Sequence, residues 1–362
     1  MSQSEEERPS PRQSAKLLGH QEVEDRFLEA YSSERLPHAW LITGPRGVGK
    51  ATLAFRIARF LLAEGGDGGG GGLFAAAPSS LAVSPDNPIF RQVAVASHPD
   101  MITLERLVDD KGKLRQVIRV EEVRKAIAFL RRTAQAGGWR VIVVDAADDL
   151  NVNAANALLK ILEEPPEKAI VLLVSHAPGS LLATIRSRCC SLNLGRLSED
   201  QMGELLGELA PDLTAADHRP LAVLAEGSIG RALALAEGDG LSLYRSMIGV
   251  LDGYPRLDVE ALHSYADRLA KGKDDGAFRI GMELLAWWTA RLVRAAAAGS
   301  MPPEIVEGED AVMARLIAAR PARDWLAFWG GVSTLSRSAL AANLDRKQAV
   351  ISSFLDLEQL EA

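Results

Sequence analysis

The stretch Ala39-Trp40-Leu41-Ile42-Thr43-Gly44-Pro45-Arg46-Gly47-Val48-Gly49-Lys50-Ala51-Thr52 decides the fold. Five strand-forming residues run directly into a glycine-rich turn, and an apolar, helix-spaced run follows at 52–63. The turn fits the first seven positions of the phosphate-binding pattern G-x-x-x-x-G-K-[ST], and strand–loop–helix is the setting that pattern requires. Gly44, Gly47 and Gly49 permit a tight turn and close backbone approach to phosphate, while Lys50 supplies a point charge for the β/γ-phosphates. The eighth position, normally a Ser or Thr hydroxyl for Mg²⁺, is Ala51. Thr52 remains a candidate nucleotide-site residue, yet one step along a helix turns its side chain by about 100° from the metal.

Working outward, residues 17–32 show helical spacing ahead of this strand. Further strands are expected at 100–104, 140–145, 169–175 and 189–194. Helices are expected around 120–130, 153–162 and 180–185, the second ended by Pro165-Pro166. Apolar strands alternating with amphipathic helices predict a doubly wound parallel α/β sheet. Residues 1–14 read as a disordered N-terminus, and 65–88, which contains GGDGGGGG, as a flexible insertion without secondary structure. The P-loop α/β domain is thus expected over 15–195. Beyond it the β signal stops. Short helices at 198–209, 216–225 and 228–236 predict a small helical lid over 196–239, and longer amphipathic helices an all-helical domain over 240–362. Trp287, Trp288, Trp325 and Trp329 fall in that last part and read first as helix-packing residues, second as an assembly surface.

A chain of 362 residues implies two or three domains, and 47% hydrophobic with 25% charged residues is a globular composition. The formal net charge of −7 argues against autonomous tight binding to DNA phosphates, though not against DNA work inside a complex. Cys189 and Cys190 are adjacent, so neither a disulfide framework nor a zinc site is expected. The polar N-terminus lacks a signal region, and the most apolar helix, 283–298, is interrupted by Arg291 and Arg294. No membrane association is expected, and the reading is cytoplasmic.

Asp145 ends the apolar run at 141–144, where a second metal-binding carboxylate belongs; an ordinary strand-end carboxylate is the plainer alternative. The next position, which would carry the acid that polarises attacking water, is Ala146, and Asp148 and Asp149 stand at the wrong spacing for that role. Two such departures at separate catalytic positions, Ala51 and Ala146, are better explained by a lost activity than by chance.

Two further motifs carry a family resemblance. Residues 156–166 read NALLKILEEPP and residues 184–189 read TIRSRC. With the P-loop and strand-end Asp145 they resemble, in order and spacing, the AAA+ clamp-loader subunits of the replicative DNA polymerase III. The resemblance covers about 17–240 with motifs and extends loosely to the C-terminus. It implies an AAA+ P-loop sheet domain, a lid and a C-terminal collar. With Ala51, Ala146 and no cysteine between 50 and 188, the chain is more similar to the family's ATPase-defective member than to its active motor. Some such members carry a zinc module, which this chain lacks. The resemblance assigns Arg188, with Ser187, to a trans-acting arginine finger; a surface ion pair is the plainer alternative for Arg188. The implied partners are gamma/tau-type motor subunits, the delta subunit, the sliding clamp and primer-template DNA. No cofactor is required, weak ATP or ADP binding is allowed, and no zinc is expected. Gly227-Ser228-Ile229-Gly230-Arg231 resembles the sensor-2 segment GSxR, with Gly230 at the arginine position and Arg231 shifted one place along the helix. Ser175 takes the sensor-1 place or is a plain strand-end hydrogen-bonding group, and Cys189 reads as a small buried hydrophobe. An active AAA+ motor and a regulatory nucleotide-binding module outside replication are the competing readings.

Overall fold

The structure is a computed structural model and describes residues 10–33, 35–64, 78–110, 112–132, 134, 138–272, 275–342 and 344–359. The chain divides into two compact units, Met1–Gln201 with Gly227–Gly230, and Met202–Glu226 with Arg231–Ala362. The helices expected as a lid therefore group with the later helices, apart from the short Gly227–Gly230 segment, which groups with the sheet.

In the first unit, strands β1 (Ala39–Thr43), β2 (Met101–Leu104), β3 (Arg140–Asp145), β4 (Ala169–Ser175) and β5 (Cys190–Asn193) form a parallel sheet in the order β2-β3-β4-β1-β5. Period-2 alternation sorts each strand's residues onto two faces. Trp40, Ile42, Val141, Val143, Leu172 and Val174 join one core, with helices α1 (Gln21–Ser32) and α2 (Lys50–Glu64). Leu41, Ile142, Val144, Val171 and Leu173 join the other, with α4 (Val120–Leu130) and α5 (Val152–Glu163). Both faces are covered, which is why these strands read as continuous apolar runs. The parallel α/β sheet expected from the sequence is the one observed.

Three expectations are corrected. A short helix, α3 (Pro88–Ala94), was not anticipated: seven residues are too few for periodicity, although Asn87 accepts from Ile89 N at 2.8 Å and Pro88 takes the first turn. Of the insertion 65–88, residues 65–77 lie outside the described residues. From 78 the chain packs: Leu81 is buried and Val83 lies against the sheet core. A lone Leu among Ala, Ser and Pro gives no pattern to read. Of the expected disordered terminus 1–14, residues 1–9 lie outside the described residues, whereas 10–14 are tied to α2. Arg59 donates to Arg12 O at 2.8 Å and Ser14 O at 2.6 Å and stacks on Phe90, and Arg56 pairs with Glu24 and bonds Ala15 O.

The second unit is helical. It contains most of α7 (Glu199–Leu209) and α9 (Ile229–Glu237), with α8 (Ala215–Leu224), α10 (Gly240–Asp252), α11 (Val259–Ala270), α12 (Gly276–Ala298), α13 (Glu309–Ala319), α14 (Ala322–Ala342) and α15 (Arg346–Gln359). Trp288 of α12 and Trp325 of α14 are buried, Trp325 edge-on to Tyr254 and Phe328. Trp287 is half-buried and donates to Glu226 at 3.0 Å, and Trp329 is exposed. Buried Glu309 gathers Tyr244 (2.8 Å), Trp288 (3.2 Å), Ile305 N (2.9 Å) and Arg291, so its charge is compensated from several elements. Among the described residues no helix is long and apolar enough to cross a membrane.

Candidate functional site

Parallel register brings the candidate residues of the nucleotide site to one edge of the sheet. Thr43 stands opposite both Ser175 and Asn193, and Asp145 opposite Val174, so the P-loop, Asp145 and Ser175 share the carboxyl edge where α/β sheets bind ligands. Gly44 has φ +141°, and a side chain there would place Cβ 2.2 Å from Leu194 O, so only glycine fits.

The loop's carbonyls are already occupied. Lys50, itself buried, donates to Gly44 O at 2.8 Å and to Pro45 O. Ser228 Oγ donates to Arg46 O at 2.8 Å, Gly230 N to Gly47 O at 2.9 Å, and His20 Nε2 meets Val48 O at 2.9 Å. Burial, opposed by Asp145 and Asp148 and reinforced by Arg46, lowers the Lys50 pKa to about 8. Burial is also the main cause that raises the Asp145 carboxyl above its usual range; Glu105 adds to it and Lys50 opposes it.

The nearby acids serve the fold. Asp148 accepts from Ser175 Oγ (2.9 Å), His176 N (2.7 Å) and Ala177 N (3.0 Å), while Asp149 pairs with Arg106 at 3.1 Å. Ser175 thus bonds a carboxylate of its own chain. Ala146 is buried. Gly230 lies against the P-loop, since a Cβ there would sit 2.9 Å from Gly47 Cα, and Arg231 pairs with Glu283 of α12 at 3.0 Å within the helical unit. No hydroxyl stands at Ala51, the lysine ammonium is turned to loop carbonyls, and Gly227–Gly230 closes on the loop. These residues do not fit a hydrolytic Mg²⁺–nucleotide site.

Arg188 lies elsewhere. It follows α6 (Ala183–Arg186) and precedes β5, whose first residue, Cys190, pairs with Trp40 near the start of β1. It therefore occupies the amino edge of the sheet, beside the C-terminal end of α5, where His38 Nε2 meets Leu162 O at 2.9 Å. A strand of four residues separates the edges by about 13 Å, so Arg188 is not placed to serve its own P-loop. Its guanidinium donates to Thr184 O at 3.0 Å and pairs with Glu163 at 2.8 Å, and Ser187 Oγ donates to Thr184 O at 3.2 Å. Cys189 packs against the core; burial, then Cys190, pushes its thiol up to about 12, so it is no nucleophile.

Sequence reading missed a cationic groove between α4 and α5, lined by Arg124, Arg131, Lys160, Asn153 and Asn156 over Ile127, with no carboxylate among its lining residues. The signal was present as helical spacing: Arg124 and Arg131 are seven apart, as are Asn153 and Lys160. The two pairs meet only because α4 packs on α5.

The parallel sheet and its carboxyl-edge P-loop define the class as a P-loop α/β protein, with Ala51 and Ala146 at the positions noted above. Residues 19–198 match the family described as DNA polymerase III, delta subunit. The chain is 35% identical over 220 residues to the delta′ subunit of Pseudomonas aeruginosa, covering 61% of each protein. It is 32% identical over 217 residues to that of Escherichia coli, covering 59% of each. It is also 31% identical over 298 residues to the Escherichia coli tau subunit, covering 78% of this chain and 42% of tau. The chain thus spans less than two thirds of the length of these relatives. A Thermotoga maritima gamma-subunit-related protein aligns over 92% of this chain and 99% of its own at 17% identity, with a TM-score of 0.39 too low to carry an argument. Over residues 19–198, nearly all of its α/β unit, this chain matches the DNA polymerase III delta-subunit family and is similar to delta′ and tau subunits.

Proposed function

We propose that the chain is a delta′-type, non-hydrolysing subunit of the sliding-clamp loader, completing a neighbouring subunit's ATP site with Arg188. The observation that carries this reading is the placement of Arg188 on the sheet edge opposite a P-loop that has Ala51 at its hydroxyl position and Ala146 after its strand-end Asp145. An arginine there is useful to a nucleotide held by another chain, where it would offset charge developing on the transferred phosphoryl group. The partners in this reading are gamma/tau-type motor subunits and the delta subunit. The helices beyond residue 240 join a collar, and the sliding clamp and primer-template DNA are met within the assembly, in the cytoplasm. The α4–α5 groove is the surface assigned to DNA phosphates. No cofactor is needed: ATP or ADP binds weakly if at all, and no zinc is involved.

Steady-state ATP turnover tests the reading. The isolated chain is expected to be inactive, and Arg188→Ala to leave assembly intact while lowering turnover of the reconstituted complex at least tenfold, given that trans arginines contribute about 10³–10⁵ in rate. Ordinary turnover by the isolated chain that vanished with Lys50→Ala would make it an active motor. Failure to co-purify with motor and delta subunits would favour a regulatory module outside replication.

A further inference from the structure

Arg188 is a long side chain on a short turn, yet two elements of its own chain hold its head. Nη1 donates to Thr184 O at 3.0 Å, a backbone atom of α6 anchored by buried Ile185. Nη2 pairs with Glu163 Oε1 at 2.8 Å, the last residue of α5, whose Leu158, Ile161 and Leu162 are buried in the sheet core. The first anchor is a backbone atom, and the second is a carboxylate carried by a helix end whose neighbouring turns are packed. The pair is not a core ion pair: the arginine side chain is 36% exposed and the glutamate 48%. At that exposure an ion pair contributes little to stability. What it changes is the freedom of the guanidinium, which otherwise samples many rotamers. Of five N–H donors these two contacts use two, leaving three for an incoming phosphate.

We propose that Glu163 is a positioning residue for Arg188, an inference that rests on the finger reading above. It holds the guanidinium in a narrow set of conformations before the neighbouring subunit docks, so less order must be created in the transition state. The NALLKILEEPP and TIRSRC segments are then two halves of one device. One ends a helix with the carboxylate, and the other presents the arginine it holds.

The test is a mutant cycle on the reconstituted complex: wild type, Glu163→Gln, Arg188→Ala and the double variant, read as kcat and KM for ATP with assembly checked by gel filtration. Glu163→Gln is expected to lower kcat about twofold to fivefold at unchanged KM and unchanged assembly, the range of an exposed ion pair. Arg188→Ala should lower it further, and the double variant should match Arg188→Ala alone. A Glu163→Gln complex as fast as or faster than wild type, beside a slow Arg188→Ala, overturns the positioning role and leaves the finger standing. A further loss in the Arg188→Ala background shows that Glu163 acts through another group and likewise overturns it. An unchanged rate for Arg188→Ala removes both ideas.

Discussion

At Lys50 the charge of the phosphate loop is turned inward. Its ammonium is buried and bonds Gly44 O and Pro45 O of its own loop. Its folded-state pKa of about 8 lies below the ordinary lysine value of 10.5, so between those values the unfolded chain binds more protons and stability rises with pH. Below about pH 8 the lysine is charged in both states and the burial cost persists in full. Lys50→Met should therefore flatten the rise of thermal stability between about pH 8 and 10.5, measured as the melting temperature of both proteins across that range. Gly230 is the complementary case. Restoring the arginine expected at that place would drive a Cβ to 2.9 Å from Gly47 Cα, so Gly230→Arg should cost about 1–3 kcal/mol in urea unfolding rather than repair the site. Ala51 and Ala146 could be picked out because they stand at fixed positions within a motif. The carbonyl partners of the loop were not legible, because Ser228 and Gly230 are remote from it in sequence.

At the scale of elements, the strands at 39–43, 140–145 and 169–175 could be read directly, since burial on both faces leaves an uninterrupted apolar run. Helix α3 could not, being too short for a period. Asp148 shows how a residue rejected for catalysis finds work in an element. Burial would raise its carboxyl pKa, but bonds from His176 N, Ser175 Oγ and Ala177 N together hold it below the ordinary range. Its stabilisation is present above the unfolded carboxylate value near 3.8 and is lost as pH falls through the lower folded value. Asp148→Ala, which leaves three donors at the end of β4 without their acceptor, should cost about 1–3 kcal/mol at neutral pH by chemical denaturation. That difference should shrink in acid.

Over the whole molecule, a net charge of −7 coexists with a groove whose lining holds three cations and no carboxylate. Total charge could be counted from the sequence, but its segregation depends on which helices pack together. For the reconstituted complex on primed DNA, Arg124→Ala and Lys160→Ala should each weaken binding across sequences and reduce the slope of log affinity against log salt by about one. An unchanged slope would remove the groove from the DNA path. The order of P-loop, strand-end Asp, NALLK and SRC was legible because each motif is local. The assignment of Gly227–Gly230 to the sheet unit was not, because it belongs to a segment otherwise surrounded by the helical unit.

That assignment bears on how the protein is made. The P-loop leaves the ribosome early, but two of its carbonyl partners, Ser228 Oγ and Gly230 N, are synthesised only after 25 residues of the other unit, Met202–Glu226, have been added. The nascent sheet unit therefore waits with the Arg46 and Gly47 carbonyls uncapped until that helical stretch has emerged. No single cut in the gene can separate the two units as complete pieces.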